Sequence, residues 1–214
     1  MSHSADIAAI RTDYRKAALD EVLAGDDALA FFSKWLDEAI VAQIDEVNAM
    51  TLATCDAAGK PHARIVLLKG LEDGGFVFYT NYGSDKGTQL ASNPHAALVF
   101  FWKELERQVR VEGRIEKLEV SSSDAYFYSR PEGSRLGAWA SPQSQVIPDR
   151  SVLDANYKKY REQFPDHIPR PPHWGGYRLV PQKIEFWQGR SSRMHDRIVF
   201  ERDGVAWTKC RLAP

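Results

Sequence analysis

Hydrophobic and polar positions follow two different periods along this chain. Over residues 28–44, apolar side chains recur at intervals of three and four, which predicts an amphipathic helix. Short apolar segments separated by turn residues follow, and they cover residues 49–55, 64–69, 76–81, 96–102 and 107–118. The last segment alternates apolar and polar side chains, as a half-buried strand does. Five closely spaced strands predict a mainly antiparallel barrel, with the helix as its cap.

Residues 64–69 are the segment around which we expect the rest of the chain to be organised. Four consecutive apolar residues lie between Arg64 and Lys69, after a turn at residues 59–61. This pattern predicts a buried strand with a cation at each end. A buried strand does not need end charges for its own stability, so both cations are available to an anion, most simply a phosphate. Keeping the strand ends solvated is the alternative role.

A short helix is predicted after the strand at residues 76–81, with Ser84 as its N-cap and its end at residues 93–94. Lys86 lies in the first turn of this helix, where a cation opposes the helix dipole. A phosphate bound at the helix N-terminus would explain that lysine. Asp85 has the opposite effect, because it suits the dipole and would repel a phosphate.

Residues 121–140 are predicted to be helical in two pieces, with a break at residues 131–133. Tyr126, Arg130 and Ser134 are spaced by four. On a continuous helix they would share one face and offer a phenol, a guanidinium and a hydroxyl to a single oxyanion. Pro131 makes strict continuity doubtful, and a solvated helix face is the alternative.

The C-terminal part begins with a proline-rich loop over residues 165–173 and predicts a final pair or trio of strands. If residues 193–200 are extended, Arg193, His195 and Arg197 project from one face. Such a row of cationic or titratable groups repels itself unless an anionic or electron-rich ligand lies across it. Protective charges on an edge strand are the alternative.

The polar N-terminal residues before the first helix contain Arg11 and Tyr14, which are candidate contacts from a terminal arm. A loosely docked terminus without such contacts is the alternative. A further surface helix is predicted over residues 150–164 and shows no chemistry of its own.

Composition narrows the class of protein. The chain has 214 residues, of which 43% are hydrophobic and 27% charged, so we expect one ordinary globular domain. Its formal net charge of -1 argues against a nucleic-acid partner that needs a wide basic field. Cys55 and Cys210 are the two cysteines, and they support neither a disulfide framework nor a zinc site. Without a signal-peptide core or a long apolar run, the chain is expected to be soluble and cytoplasmic.

Several common catalytic motifs are absent from the sequence. It contains no GxGxxG, Walker loop, HExxH, GxSxG or N-glycosylation sequon. Nicotinamide binding by a Rossmann fold, metalloprotease chemistry and serine hydrolysis therefore lose their usual support. The residues alone predict a protein that binds a small phosphorylated molecule.

Nine short motifs, spread from about Arg11 to Pro214, together resemble the pyridoxine 5'-phosphate oxidase family. They are Arg64-Ile-Val-Leu-Leu-Lys69, Phe78-Tyr-Thr-Asn81, Glu106-Arg-Gln-Val109, Ser129-Arg-Pro131, Gly137-Ala-Trp139, Trp174-Gly-Gly176, Ile184-Glu-Phe-Trp-Gln-Gly189, His195-Asp-Arg197 and Arg211-Leu-Ala-Pro214. The resemblance implies a mainly β fold with helices (α+β), an antiparallel split β-barrel that binds FMN and carries capping helices. It also implies a mobile N-terminal arm over residues 1–25 and a single FMN-binding split-barrel domain over residues 26–214.

The resemblance implies an activity and a set of partners as well. The expected reaction is oxidation of pyridoxine 5'-phosphate and pyridoxamine 5'-phosphate to pyridoxal 5'-phosphate in vitamin B6 biosynthesis or salvage. A hydride passes from C4' of the substrate to N5 of FMN, and O2 accepts the electrons and gives H2O2. The expected assembly is a homodimer with FMN at the subunit interface. No metal, nucleic acid or membrane is implied.

Site residues are carried over one by one from the same resemblance. Those expected to bind FMN are Arg64, Lys69, Tyr79, Thr80, Lys86, Gln108, Gln143, Ser144, Trp187 and Arg197. Those expected to bind the substrate are Lys69, Tyr126, Arg130, Ser134, Arg193, His195, Arg11 and Tyr14. Arg193 and His195 are the expected catalytic residues, and they orient the pyridine ring and manage the proton of the reacting alcohol or amine.

The chain departs from the family pattern at two places. Asp85 stands where the family usually has a second basic residue before the helix lysine, which predicts a weaker or redistributed grip on the flavin phosphate. Lys16 is followed by two alanines where relatives often have glycines, which predicts a stiffer arm. Two other functions stay open: a phenazine-biosynthesis oxidase with the same barrel, and a flavin or pyridoxal phosphate carrier without turnover.

Overall fold

The structure, a computed structural model, describes residue 9 and residues 12–214. Those residues contain six α-helices and nine strands. The helices are α1 (Glu21–Ala24), α2 (Ala28–Val41), α3 (Asp85–Ser92), α4 (Val120–Ser129), α5 (Glu132–Ala140) and α6 (Ser151–Gln163). The strands are β1 (Ala49–Cys55), β2 (Pro61–Leu67), β3 (Gly70–Glu72), β4 (Gly75–Asn81), β5 (His95–Trp102), β6 (Arg107–Lys117), β7 (Trp174–Gln188), β8 (Asp196–Asp203) and β9 (Ala206–Arg211). None of these helices combines the length and the apolar character that crossing a bilayer requires.

Hydrogen bonds order the strands β2-β1-β5-β6-β7-β4-β3, while β8 pairs with β7 and β9. The pairs β1–β2, β3–β4, β4–β7, β7–β8 and β8–β9 are antiparallel. The chain divides into two compact units: the first comprises residues 1–47, 99–111 and 183–214, and the second comprises residues 48–98 and 112–182. The predicted antiparallel sheet is therefore confirmed, and β5, β6 and β7 each contribute residues to both units.

Aromatic packing of α2 fixes the core of the first unit. Phe31 lies 4.6 Å from Phe186, ring centre to ring centre, and Phe32 lies 5.0 Å from Phe100. Such pairs add to the burial of their apolar area. The predicted helix is confirmed, but it ends at Val41, and its buried face includes Phe31.

Helix packing around Trp174 fixes the core of the second unit. Phe127, Leu136 and Ile168 are buried with this tryptophan, and the half-buried Tyr157, Tyr160 and Phe164 of the α6 region pack against the cluster. The break between α4 and α5 lies at residues 130–131, so the two predicted helical pieces are confirmed.

The predicted burial of residues 64–69 is wrong for this chain. The strand is β2, residues 61–67, and Ile65 is 64% exposed. β2 is first in the strand order and pairs with β1, and its residues alternate between exposed and half-buried along the strand. Arg64 therefore lies in mid-strand, and Lys69 lies in the connection to β3 rather than at a strand end.

Helix α3 begins where the sequence predicts. The Ser84 side chain accepts a hydrogen bond from the amide of Gly87, as an N-cap does. Gly87 lies so close to the preceding turn that a Cβ there would stand 2.2 Å from the carbonyl oxygen of Tyr82. A side chain at this position would move the start of the helix.

Gly87→Ala is expected to destabilise the protein by about 1–3 kcal/mol, as overpacking against rigid backbone does. Gly137→Ala in α5 is the matched control, because a Cβ there meets nothing within 4 Å. It is expected to stabilise the protein by about 0.4–1 kcal/mol. Urea unfolding of both variants measures the difference, and equal stabilities would contradict the close approach at Gly87.

Candidate active site

A cavity of about 680 Å³ lies in the second unit. Its lining includes residues that were predicted to bind two different phosphorylated molecules. They are Lys69, Tyr79, Thr80, Lys86, Tyr126, Arg130, Ser134 and Gln143. Tyr126, Arg130 and Ser134 thus share one cavity, although α4 ends at Ser129 and Arg130 is extended. Their grouping does not need the continuous helix that the spacing suggested.

Three stacked aromatic rings form one wall of this cavity. Tyr79 and Tyr126 stack at 3.9 Å with an interplanar angle of 16°, and Tyr126 is nearly parallel to Trp174. Burial, with smaller contributions from Glu72 and Tyr126, raises the pKa of Tyr79 to about 12. The Tyr79 phenol therefore keeps its proton at neutral pH and can act as a hydrogen-bond donor.

Arg130 is a cation without a counter-charge among the described residues. Its guanidinium lies 4.6 Å from the centre of the Trp174 ring, a cation–π contact, and its Nη1 is buried without a hydrogen-bond partner in the described part of the chain. Burial lowers the pKa of Arg130, against a smaller opposite effect of Tyr126. A buried donor left unmatched is costly, so this nitrogen is prepared to bind an anion or another acceptor.

Lys86 is a second such cation, at the start of α3. Its side chain is buried, and within the described part of the chain Nζ reaches only neutral oxygens, Ser84 Oγ at 3.4 Å and Gln143 Oε1 at 3.5 Å. Burial and the nearby Arg64 lower the pKa of Lys86, and Asp85 opposes them. Both hydrogen bonds are long, so the ammonium has donor capacity left for a ligand.

Arg64 is held by neutral acceptors on β1 and α3. Its Nη1 donates to the carbonyl oxygen of Leu52 at 3.1 Å and to Thr54 Oγ1 at 2.6 Å, while Nη2 donates to Gln89 Oε1 at 3.0 Å. Burial lowers the pKa of Arg64, and Asp85 opposes this effect. Sequence analysis missed Thr54 and Gln89. The only signal was position, since Gln89 lies one helical turn after Lys86.

The remaining predicted site residues that the structure describes lie in the first unit, except for Ser144, which is exposed and has a φ of 70° in the loop after α5. The Trp187 and His195 rings are 4.6 Å apart, and Tyr14 contacts both rings edge-on. Tyr14 also packs on Gly189, where a Cβ would stand 2.7 Å from its ring. A second cavity of about 550 Å³ is lined by Tyr14, Arg193 and His195 together with Thr12, Asp13, Arg190 and Ser192.

The predicted row of Arg193, His195 and Arg197 on one strand face is wrong. Residues 191–193 form a 3-10 turn in which Ser192 and Arg193 have positive φ, and β8 begins only at Asp196. Strand alternation therefore does not apply to Arg193. Arg193 and His195 still line the same cavity, because the turn brings them together.

The ring of His195 is held in one tautomer. Its Nδ1 lies 3.1 Å from the backbone nitrogen of Arg190, which can only donate. Nδ1 is therefore the acceptor, and in the neutral ring the hydrogen is on Nε2. His195 can thus present an Nε2–H donor to a ligand.

Arg197 differs from Lys86 and Arg130 because it has a carboxylate partner. Glu185, which is 5% exposed, accepts from Nε at 2.9 Å and from Nη2 at 3.1 Å. These hydrogen bonds raise the pKa of Arg197. Its guanidinium is fixed in orientation and its charge is balanced. Gln108 is half-buried on β6, and Arg11 lies outside the described residues.

A buried carboxylate anchors the chain next to Tyr14. Glu106 Oε2 accepts hydrogen bonds from the backbone amides of Arg15 and Lys16, both at 2.9 Å. Further along, the backbone amide of Leu19 donates to Asp196 at 3.1 Å. These bonds position the segment that carries Tyr14 over Trp187 and His195.

Comparison with known proteins places the chain in a family. A family model described as pyridoxamine 5'-phosphate oxidase matches residues 36–164, and one described as the pyridoxine 5'-phosphate oxidase C-terminal dimerisation region matches residues 174–214. The chain is 61% identical over 210 residues to pyridoxine/pyridoxamine 5'-phosphate oxidase 1 of Ralstonia nicotianae, with 97% of this chain and 99% of the relative covered. The corresponding enzyme of Burkholderia multivorans is 56% identical over 211 residues, with the same coverage.

Solved structures show the same fold. PhzG from Burkholderia lata, solved in complex with tetrahydrophenazine-1-carboxylic acid, superposes with a TM-score of 0.86 at 31% identity over 92% of this chain and 98% of that one. A pyridoxamine 5'-phosphate oxidase-related, FMN-binding protein from Nostoc punctiforme has a TM-score of 0.70 at 19% identity, over 86% of this chain and 97% of that one. The similarity that the nine motifs predict extends over nearly the whole chain, which therefore belongs to the pyridoxine/pyridoxamine 5'-phosphate oxidase family and has its antiparallel split-barrel fold.

Proposed function

We propose that this protein binds FMN and oxidises pyridoxine 5'-phosphate and pyridoxamine 5'-phosphate to pyridoxal 5'-phosphate. The observation that carries the proposal is the cavity of the second unit, where the buried Lys86 and the half-buried Arg130 have no carboxylate partner in the described chain. Two such cations fit two phosphorylated ligands. Family membership supplies the type of reaction, and the cavity supplies the donors that the ligands require.

The cavity and the residues next to it fit an FMN phosphate. Lys86 lines the cavity and Arg64 precedes the lining residue Ile65; both are cations bound to neutral acceptors, and the N-terminus of α3 carries further amide donors. Bound there, FMN would supply the acceptor for a hydride from C4' of the substrate and a route for the electrons to O2, with H2O2 as the product. Lys69, Tyr79 and Thr80 complete this part of the site. Gln108, Gln143, Ser144, Trp187 and Arg197 are proposed as the further FMN contacts, and the assembly as a homodimer with FMN at its interface.

The substrate phosphate is assigned to Lys69, Tyr126, Arg130 and Ser134. Arg130 offers the buried Nη1 that lacks a partner, while Tyr126 and Ser134 offer hydroxyl groups in the same cavity. Charge-assisted hydrogen bonds from a guanidinium are strong and directional, so Arg130 holds the phosphate in a fixed place. Fixing the phosphate fixes the distance of the substrate ring from the flavin.

Arg193 and His195 are proposed to orient the pyridine ring. Because Nδ1 of His195 is occupied by the Arg190 amide, its Nε2–H is the group available to the substrate. It donates to a polar atom on the ring or at C4' and so holds the reacting alcohol or amine in place. Tyr14 shields this region from water, and Arg11 is proposed to act with it.

The similarity to PhzG makes a phenazine-type oxidase the second candidate function. The three phosphate-binding groups Tyr126, Arg130 and Ser134 favour a phosphorylated substrate instead. A carrier without turnover would bind the same molecules. One assay separates these functions: the purified protein is expected to be yellow and to form aldehyde from pyridoxine 5'-phosphate in an oxygen-dependent way.

Arg130→Ala is expected to raise the KM for pyridoxine 5'-phosphate by about tenfold to a hundredfold, because a charge-assisted phosphate contact is lost. The flavin content of the purified variant should equal that of the wild type. The KM of Arg130→Lys should lie between the KM values of the wild type and Arg130→Ala, because lysine keeps the charge but lacks the planar, two-pronged guanidinium. Loss of flavin from Arg130→Ala would mean that the two phosphate sites have been exchanged.

FMN affinity is expected to fall with rising pH over the range below the ordinary pKa of lysine. A bound phosphate favours the ammonium, so the pKa of Lys86, lowered in the free protein, is higher in the complex. Binding therefore takes up a proton and weakens as the pH rises. Flavin fluorescence titrations measure the profile, with riboflavin as the control for titration of the ring. Lys86→Arg should give a flatter profile, and a flat wild-type profile would contradict this role.

His195→Gln and His195→Asn form a matched pair for the tautomer. The longer glutamine amide can place a donor near the Nε2 position, whereas the asparagine amide reaches only the Nδ1 position. Asn is expected to lower kcat by about a hundredfold or more, and Gln by distinctly less. Equal losses in steady-state assays of both variants would contradict an Nε2–H donor.

A further inference from the structure

Arg64 is positioned by a closed set of hydrogen bonds in which Gln89 has the central place. Gln89 Oε1 accepts from Arg64 Nη2 at 3.0 Å and from the Thr54 hydroxyl at 2.6 Å, and the same hydroxyl accepts from Arg64 Nη1. Gln89 and Thr54 are 8% and 2% exposed. Because Arg64 can only donate, the amide oxygen of Gln89 must face it.

The choice of a neutral amide at residue 89 is unexpected on grounds of stability. A glutamate would have the same shape, could accept the same two hydrogen bonds and would add a salt bridge to a half-buried guanidinium. With glutamine, Arg64 forms no salt bridge within the part of the chain that the structure describes. Lys86, a further cation, lies close enough to affect Arg64, and Asp85, the nearby carboxylate, is exposed. The local charge therefore stays positive.

We propose that Gln89 is a positioning residue that fixes Arg64 without cancelling its charge, and that this keeps the guanidinium available to the FMN phosphate. The inference rests on the proposed binding of FMN. Thr54 assists, because its hydroxyl links the two side chains. The site thus combines a fixed orientation with a retained positive charge, a combination that a carboxylate at residue 89 would remove.

Gln89→Glu tests this inference with an isosteric change of charge. Apo-protein of the variant and the wild type is titrated with FMN and with riboflavin, which has the same ring and lacks the phosphate. FMN affinity is expected to fall by about tenfold to a hundredfold, since a charged hydrogen bond to phosphate is weakened. Riboflavin affinity should stay the same, and the apo-protein should be as resistant to heat as the wild type or more so.

Two further variants serve as controls. Thr88→Glu adds the same charge to an exposed position of α3 one residue away and should change FMN affinity little. Thr54→Val removes the linking hydroxyl without changing shape or charge, and it should weaken FMN but not riboflavin. This variant decides the question if Gln89→Glu does not fold.

The outcomes separate this inference from the function on which it rests. If the wild type binds FMN and Gln89→Glu binds it equally well, or loses FMN and riboflavin in equal measure, Gln89 does not act through the charge of Arg64. The inference is likewise overturned if Thr54→Val binds FMN as the wild type does. A wild-type apo-protein that takes up no FMN overturns the proposed function itself, and the inference with it.

Discussion

Positive charge without a carboxylate partner is the constraint on which the candidate site of the second unit depends. Among the described residues, Lys86 is buried, Arg130 is half-buried with its Nη1 enclosed, and Arg64 donates to neutral oxygens. Burial of a cation without a counter-charge costs free energy. The surrounding core, with Trp174 under Arg130 and the N-cap of α3 beside Lys86, holds these groups in place despite that cost. These cations can therefore attract and bind an anionic ligand, which would supply the missing counter-charge.

In the first unit, by contrast, Arg197 and Arg211 have carboxylate partners. Glu185 binds Arg197 through two nitrogens, and Arg211 is paired with both Glu21 and Asp196. What remains there is orientation: a backbone amide sets the tautomer of His195, and Tyr14 packs on Gly189. The two units thus contribute different properties, attraction for an anion in one and fixed direction of hydrogen-bond donors in the other.

Sequence pattern was sufficient where local chemistry decides the structure. Ser84 predicted the start of α3, and Pro131 predicted the break between α4 and α5. Sequence pattern failed where contacts between residues far apart in the chain decide the structure. The apolar run over residues 65–68 shows that these side chains are hydrophobic but not which of them the fold covers, so the exposure of Ile65 was missed. The positive φ of Ser192 and Arg193 has no signal in residue type. Gln89 and Glu185 were missed as well, because a positioning role becomes visible only when the partner is known.

The attachment of the segment before α1 has an evolutionary consequence. Glu106 and Asp196 bind this segment through amide hydrogens of the main chain, at Arg15, Lys16 and Leu19. Every amino acid except proline supplies that hydrogen. The side chains at residues 15 and 16 can consequently change during evolution while Tyr14 stays in contact with Trp187 and His195. Sequence variation at residues 15 and 16 would therefore not indicate that the main-chain hydrogen bonds of this segment have been lost.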